Sequence, residues 1–286
     1  MTMRPSTPRW LPFAAILLMA AALPARANVY AVGPDAGCTH ATIQAAIDAA
    51  EANPGEDFIR IPHSQICNNQ ALAINTAQTL SLEGYWSDCN TLDTSGIKTT
   101  LDGAGNFGWP VLRIEGSGHV INLDSFTIRN GDVLGNGSKG GGISYRGNGS
   151  LVVVNTAVIN NTAGLGGGMY LEGTGSAATV QILGNVAING NTARDSGGGV
   201  FAEAVHLSME APNSVIAFNE AVGYELFGVT VGGYGGGLVV NNTTSLDGYA
   251  LIGSAGVGAS GAIHGKEARN GGGEGVLRES GSRKDR

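Results

Sequence analysis

The feature that most restricts how this chain can fold is a recurring unit in its second half. Four glycine triplets each precede an aliphatic residue: Gly140-Gly141-Gly142-Ile143, Gly166-Gly167-Gly168-Met169, Gly197-Gly198-Gly199-Val200 and Gly235-Gly236-Gly237-Leu238. Ahead of each lies an apolar run that ends in asparagine, at Asn130, Asn161, Asn191 and Asn219, with spacings of 31, 30 and 28 residues. Three of these continue as Asn-x-Ala: Asn161-Thr162-Ala163, Asn191-Thr192-Ala193 and Asn219-Glu220-Ala221. A unit of that length holds two or three short strands and cannot bury a core alone, whereas stacking unit on unit can. Glycine and asparagine suit the corners because both tolerate positive φ. Asparagines at equivalent corners can also stack as hydrogen-bonded ladders inside a coil.

The repeat therefore predicts an all-β fold, a right-handed parallel β-helix. The 47 glycines have no Gly-X-Y period, which excludes collagen. Low charge (14%) and alternating aliphatic residues oppose a disordered chain. The pattern extends upstream as short period-2 runs, among them Phe58–Ile61, Leu72–Ile74, Leu80–Leu82, Val111–Ile114 and Val120–Leu123. Before them, Ile43, Ala46, Ile47 and Ala50 form an i, i+3, i+4, i+7 stripe. That stripe predicts a short N-terminal helix within 39–53, started by Thr39 or Thr42 and ended by Asn53-Pro54-Gly55. Such a helix would cover the unpaired edge of the first coil.

The two ends read differently. Arg4 and Arg9, the apolar stretch Leu11–Leu23 and Ala25-Arg26-Ala27 predict a signal peptide over 1–27, and with it an exported protein: extracellular, periplasmic or at the cell surface. The β-helix domain is expected over 28–252. Residues 253–286, rich in glycine and serine and ending in mixed charges, are expected to be a disordered tail. No later hydrophobic run is long enough to span a membrane. The tail offers no segment to close the last coil, which leads to the expectation of a truncated or frame-shifted form of something longer.

Residues 28–263 carry 7 basic and 19 acidic side chains, a net of −12. That balance argues against nucleic acid and anionic membrane surfaces as partners. An exported chain meets oxidising conditions, so one disulfide among Cys38, Cys67 and Cys89 is expected. Cys67 and Cys89 lie about one coil apart, and the strand spacing of about 4.8 Å fits a bridge. Spacing favours that pair over Cys38–Cys67 and leaves the other pairings open.

The order of features carries a resemblance. Cys38-Thr-His-Ala-Thr-Ile-Gln-Ala-Ala-Ile-Asp-Ala-Ala50 is followed by Gly84-Tyr-Trp-Ser-Asp-Cys89, Thr100-Leu-Asp-Gly103 and the glycine-triplet repeats. Over residues 28–250 this resembles bacterial right-handed parallel β-helix proteins of the pectin-lyase-like superfamily. The repeats are also similar to those of polymorphic outer membrane proteins, although Gly-Gly-Gly-aliphatic stands where those have Gly-Gly-Ala-Ile, and Phe218-Asn219 is the nearest match to their Phe-x-x-Asn. The resemblance implies the fold; its relatives include lyases, hydrolases and adhesins, so it leaves activity open.

Uronate-acting members of that fold imply clustered carboxylates with arginine or lysine. The candidates here are Asp102, Asp124 and Asp132, with Arg113 or Arg129 close by, against a reading of all of them as solvated corner residues. The five histidines share no spacing, and no metal or cofactor site is expected. Gly135-Asn-Gly-Ser-Lys-Gly140 matches G-x-G-x-x-G without the strand-to-helix context that dinucleotide binding requires. The sequence thus favours a non-catalytic, monomeric, adhesin-like scaffold that presents a sheet face to a glycan or surface protein. A polysaccharide lyase or glycoside hydrolase is the alternative.

Overall fold

The computed structural model describes residues 27–64, 67–104, 107–116, 118–133, 135, 137–175, 177–209, 213–227, 229–242, 250–252, 262–264, 267–268 and 276–279. The expected signal peptide lies almost wholly outside the described residues.

The chain winds into a parallel β-solenoid of about six turns. Four sheets run along it, and every pairing within them is parallel. Sheet 1 stacks Val29–Ala31, Asp57–Pro62, Leu80–Trp86, Val120–Asp124, Ser150–Val154, Thr179–Leu183, His206–Met209 and Ala250–Ile252. Sheet 2 stacks Thr99–Asp102, Phe126–Arg129, Ala157–Ile159, Ala187–Asn189, Val215–Ala217 and Ala262–His264. Sheet 3 is narrow: Thr162–Leu165, Thr192–Ser196, Glu220–Ala221 and Glu267–Ala268. Sheet 4 stacks Leu72–Asn75, Leu112–Gly116, Ile143–Gly147, Met169–Gly173, Val200–Glu203, Leu238–Asn242 and Val276–Glu279. Within 253–286, the segments 262–264, 267–268 and 276–279 pair parallel with the coil before them.

Side chains alternate across each strand, and the register stacks like on like. Leu112, Ile143, Met169, Val200 and Leu238 align across sheet 4 and are buried inside the coil. Their neighbours point outward in two rows, within which Tyr170, Phe201 and Val239 pack into a small buried cluster of their own. One row is Ala73, Arg113, Ser144, Tyr170, Phe201 and Val239; the other is Asn75, Glu115, Arg146, Glu172, Glu203 and Asn241.

The glycine triplets turn the chain into sheet 4. Their first members have φ of 63°, 61°, 68° and 60° at Gly140, Gly166, Gly197 and Gly235. Their backbones bond directly from coil to coil, with Gly141 N–H to Gly167 O at 3.0 Å and Gly167 N–H to Gly197 O at 3.1 Å. A Cβ on Gly141 would lie 2.6 Å from Gly167 O, so a side chain there would part the coils.

The asparagine ladder forms, with one change of register. Asn161, Asn191 and Asn219 are buried and linked: Asn161 Nδ2 donates to Asn191 Oδ1 (3.0 Å), and Asn191 Nδ2 to Asn219 Oδ1 (2.9 Å). Asn130 is not their equivalent. Gly131 stands in the ladder position and donates its N–H to Asn161 Oδ1 (2.9 Å). Asn130 aligns instead with Asn160, Gly190 and Phe218, all left-handed, at φ of 59°, 55°, 65° and 51°. The interval from Gly131 to Asn161 is 30 residues, matching the next one.

The helix spans Ile43–Glu51, and the expected stripe Ile43, Ala46, Ile47 and Ala50 is its buried face. Thr42 is the N-cap and accepts from Ala45 N–H; Thr39 instead accepts from Ala31 N–H (2.9 Å).

The disulfide joins Cys38 to Cys89, with Cα atoms 5.3 Å apart, so the expected Cys67–Cys89 bridge is corrected. The physical reason is an insertion over 87–98 that lengthens this coil. The residue stacked beside Cys67 is Leu101, on sheet 2, while Cys89 sits in the insertion and folds back on the N-terminal segment. There its Sγ lies 3.4 Å from the Val32 carbonyl oxygen. Cys67 is buried, and burial pushes its thiol up to about 11.

Candidate functional site

The candidate aspartates fall on different faces. Asp102 ends a sheet 2 strand, Asp124 ends a sheet 1 strand, and Asp132 bridges Thr162 of sheet 3. Of the named residues, only Asp102 and Arg129 meet, cross-strand neighbours with Arg129 Nε 2.8 Å from Asp102 Oδ2. Asn130 Nδ2 adds bonds to both Asp102 oxygens (3.0 and 3.1 Å), and Ala104 N–H adds a third donor (2.9 Å). Burial pushes the Asp102 carboxyl up, but the donors from Ala104, Asn130 and Arg129 outweigh it and hold it below the usual range. A carboxylate saturated in this way locks a corner between coils. Asp124 Oδ1 accepts from Ser125 Oγ (2.8 Å) and Asn155 Nδ2 (3.4 Å), a second corner contact.

A different set converges on the outer face of sheet 4. Two adjoining depressions, of about 260 and about 340 Å3, share Trp109, Pro110 and Arg113. The first is also lined by Glu115, Lys139, Ser144, Arg146, Tyr170 and Glu172; the second extends to Ala71, Leu72 and Ala73. Strand alternation places Arg113, Ser144 and Tyr170 in one row and Glu115, Arg146 and Glu172 in the next. Trp109 comes from the loop before the Leu112–Gly116 strand and is 57% exposed.

The charges in this groove are held in place. Glu172 takes Lys139 Nζ on Oε2 (2.9 Å) and Arg146 Nε on Oε1 (3.0 Å). Burial pushes the Glu172 carboxyl up, and these two cations outweigh that, so it sits below the usual range. Arg113 Nη2 donates to Glu115 Oε1 (2.7 Å). The Tyr170 hydroxyl donates to Glu203 Oε2 (3.0 Å), and the Lys139 ammonium lies 4.5 Å from the Tyr170 ring centroid. Tyr170 in turn stacks on Phe201, centroids 5.7 Å apart and planes within 7°. Burial, with Glu172 and Glu203 beside it, raises the Tyr170 phenol well above its ordinary range, so it remains a donor.

Sequence reasoning missed this groove because its members are spread over residues 71–172 and share only their register. The available signal was the outward position of each strand that follows a glycine triplet, read down the stack. Among the described residues, no group of three or more His, Cys, Asp or Glu side chains could hold a metal ion. Among the same residues, no helix is long and apolar enough to cross a membrane. No family model, curated protein or solved structure matches the chain.

Proposed function

We propose that this protein is an exported, adhesin-like β-helix that binds a glycan in the sheet 4 groove without cleaving it. One observation carries the reading: the exposed indole of Trp109 borders a groove of fixed donors and acceptors. An aromatic face stacks on the apolar face of a sugar ring, and oriented carboxylates and guanidiniums pair with its hydroxyls. Rigid strands hold these groups, so little ordering cost falls on binding. Binding is favoured over hydrolysis by Glu172. A general acid needs a raised carboxyl, and Lys139 and Arg146 hold this one low.

The test is a glycan array on the mature chain, followed by calorimetry on the best hit. Trp109→Ala is expected to weaken binding about tenfold. Chain scission of polyuronates or neutral glycans, abolished by Glu172→Gln, would instead establish the alternative: a polysaccharide lyase or glycoside hydrolase of the pectin-lyase-like kind.

A further inference from the structure

One coil differs from its neighbours between sheet 3 and the glycine triplet. In two preceding coils the chain passes almost directly from Ala163 to Gly166 and from Ala193 to Gly197. In the next coil, residues 222–234 intervene and form an antiparallel hairpin, Tyr224–Leu226 against Val229–Val231. Its feet are tied to the coil below. Val222 N–H donates to Ala193 O (2.9 Å), and Gly233 and Tyr234 N–H donate to Asp195 O (2.6 and 3.1 Å).

The tip of this hairpin is apolar and outside the fold. Phe227 is 98% exposed, Val229 63% and Leu226 48%. Phe227 also has φ of 50°, a conformation disfavoured for a bulky side chain. The ring therefore carries a backbone cost while adding no burial to the folded chain, and glycine would serve the turn better.

We infer that this tip inserts into the interfacial region of a zwitterionic lipid surface. Three side chains on a convex point offer about 400 Å2 at most, half of what each partner contributes to a standard protein interface. A bilayer needs no complementary surface. Strands of three residues reach about 10 Å, the depth at which interfacial segments sit. Tyr224 at the hairpin base and Tyr234 at its foot are half-buried amphipathic rings of the kind that favour headgroup level. No lysine or arginine lies between Arg194 and Lys266, and Glu225 stands next to the tip strand's end, so anionic headgroups are disfavoured.

The experiment is co-sedimentation of the mature chain with phosphatidylcholine vesicles. The wild type is expected to pellet with lipid. Phe227→Asp and Phe227→Gly should each bind about tenfold more weakly, with the Phe227→Gly protein melting no lower than wild type. Replacing part of the phosphatidylcholine with phosphatidylserine should weaken binding. Absence of wild-type binding, or equal binding by Phe227→Asp, overturns the inference. So does wild-type self-association that Phe227→Asp removes, since the tip would then be a protein contact.

Discussion

Gln44 hydrogen-bonds both backbone groups of Ala73: its Nε2 donates to the Ala73 carbonyl and its Oε1 accepts from the Ala73 N–H, each at 2.9 Å. Ala73 lies in the outermost strand of sheet 4, so these groups have no strand to pair with. The helix thus does more than bury its apolar stripe, because its side chain substitutes for one residue of a missing strand. Gln44→Ala should cost about 1–2 kcal/mol for two partly exposed bonds. It should also leave an open edge prone to association. Urea melts and light scattering check both effects, and an unchanged melt with no added scatter would show that water replaces the side chain.

Asn191 holds the centre of the internal ladder. It donates to Val158 O (2.9 Å) and Asn219 Oδ1 (2.9 Å), and its Oδ1 accepts from Asn161 N–H and Nδ2 (3.0 Å each). Asn191→Ala strands several of these buried groups and should destabilise by roughly 3–5 kcal/mol. Asn160→Ala, on the exposed left-handed corner beside it, should cost roughly 1–2 kcal/mol, through its φ of 55° alone. Equal losses in chemical denaturation would contradict the ladder's role.

The Cys38–Cys89 bridge closes a span of 51 residues. Loop-closure entropy assigns it about 4 kcal/mol. Reduction should lower stability by that order, and Cys38→Ser should match it. Peptide mapping of the unreduced protein should find Cys38 joined to Cys89. Cys67 should resist thiol reagents until the chain unfolds, since its thiol is buried and raised to about 11.

His119 sets a pH window. It is 1% exposed, packs 5.9 Å from the Tyr145 ring, and neither ring nitrogen has a hydrogen-bond partner among the described residues. Burial lowers its pKa, so the folded protein favours the neutral ring. The unfolded chain takes up a proton below about pH 6.5 while the folded one does not. Stability is therefore complete above that pH and declines as pH falls toward the lower folded value. Asp102 and Glu172 shift downward too, but as acids; their contribution is lost only below about pH 4. His119→Phe should flatten the stability profile between about pH 7.5 and 5.5. A wild-type slope that persists in this variant would assign the window to another group.

The residues with local signatures were legible in the sequence. The glycine triplets, the strand runs before and after them, and the helix stripe at Ile43, Ala46, Ile47 and Ala50 all stand where the pattern placed them. Each depends on spacing along the chain, and spacing is visible without a structure. The pattern fails where it must be carried from one coil to another. Asn130 stands one residue out of register with Asn161, and Cys89 lies in an insertion outside the stack. The antiparallel pair Tyr224–Leu226 and Val229–Val231 carries no repeat signature.

The sequence by itself determined that the chain must stack repeating coils, because no single unit can bury its own apolar residues. Only the tertiary structure decided which outward side chains share a surface. Coils differ in length, and the corner that absorbs each insertion sets the register of everything after it. Neighbours such as Arg146 and Glu172 lie 26 residues apart in sequence and one strand apart in space. That step of one strand brings their charges into contact, and no local pattern records it.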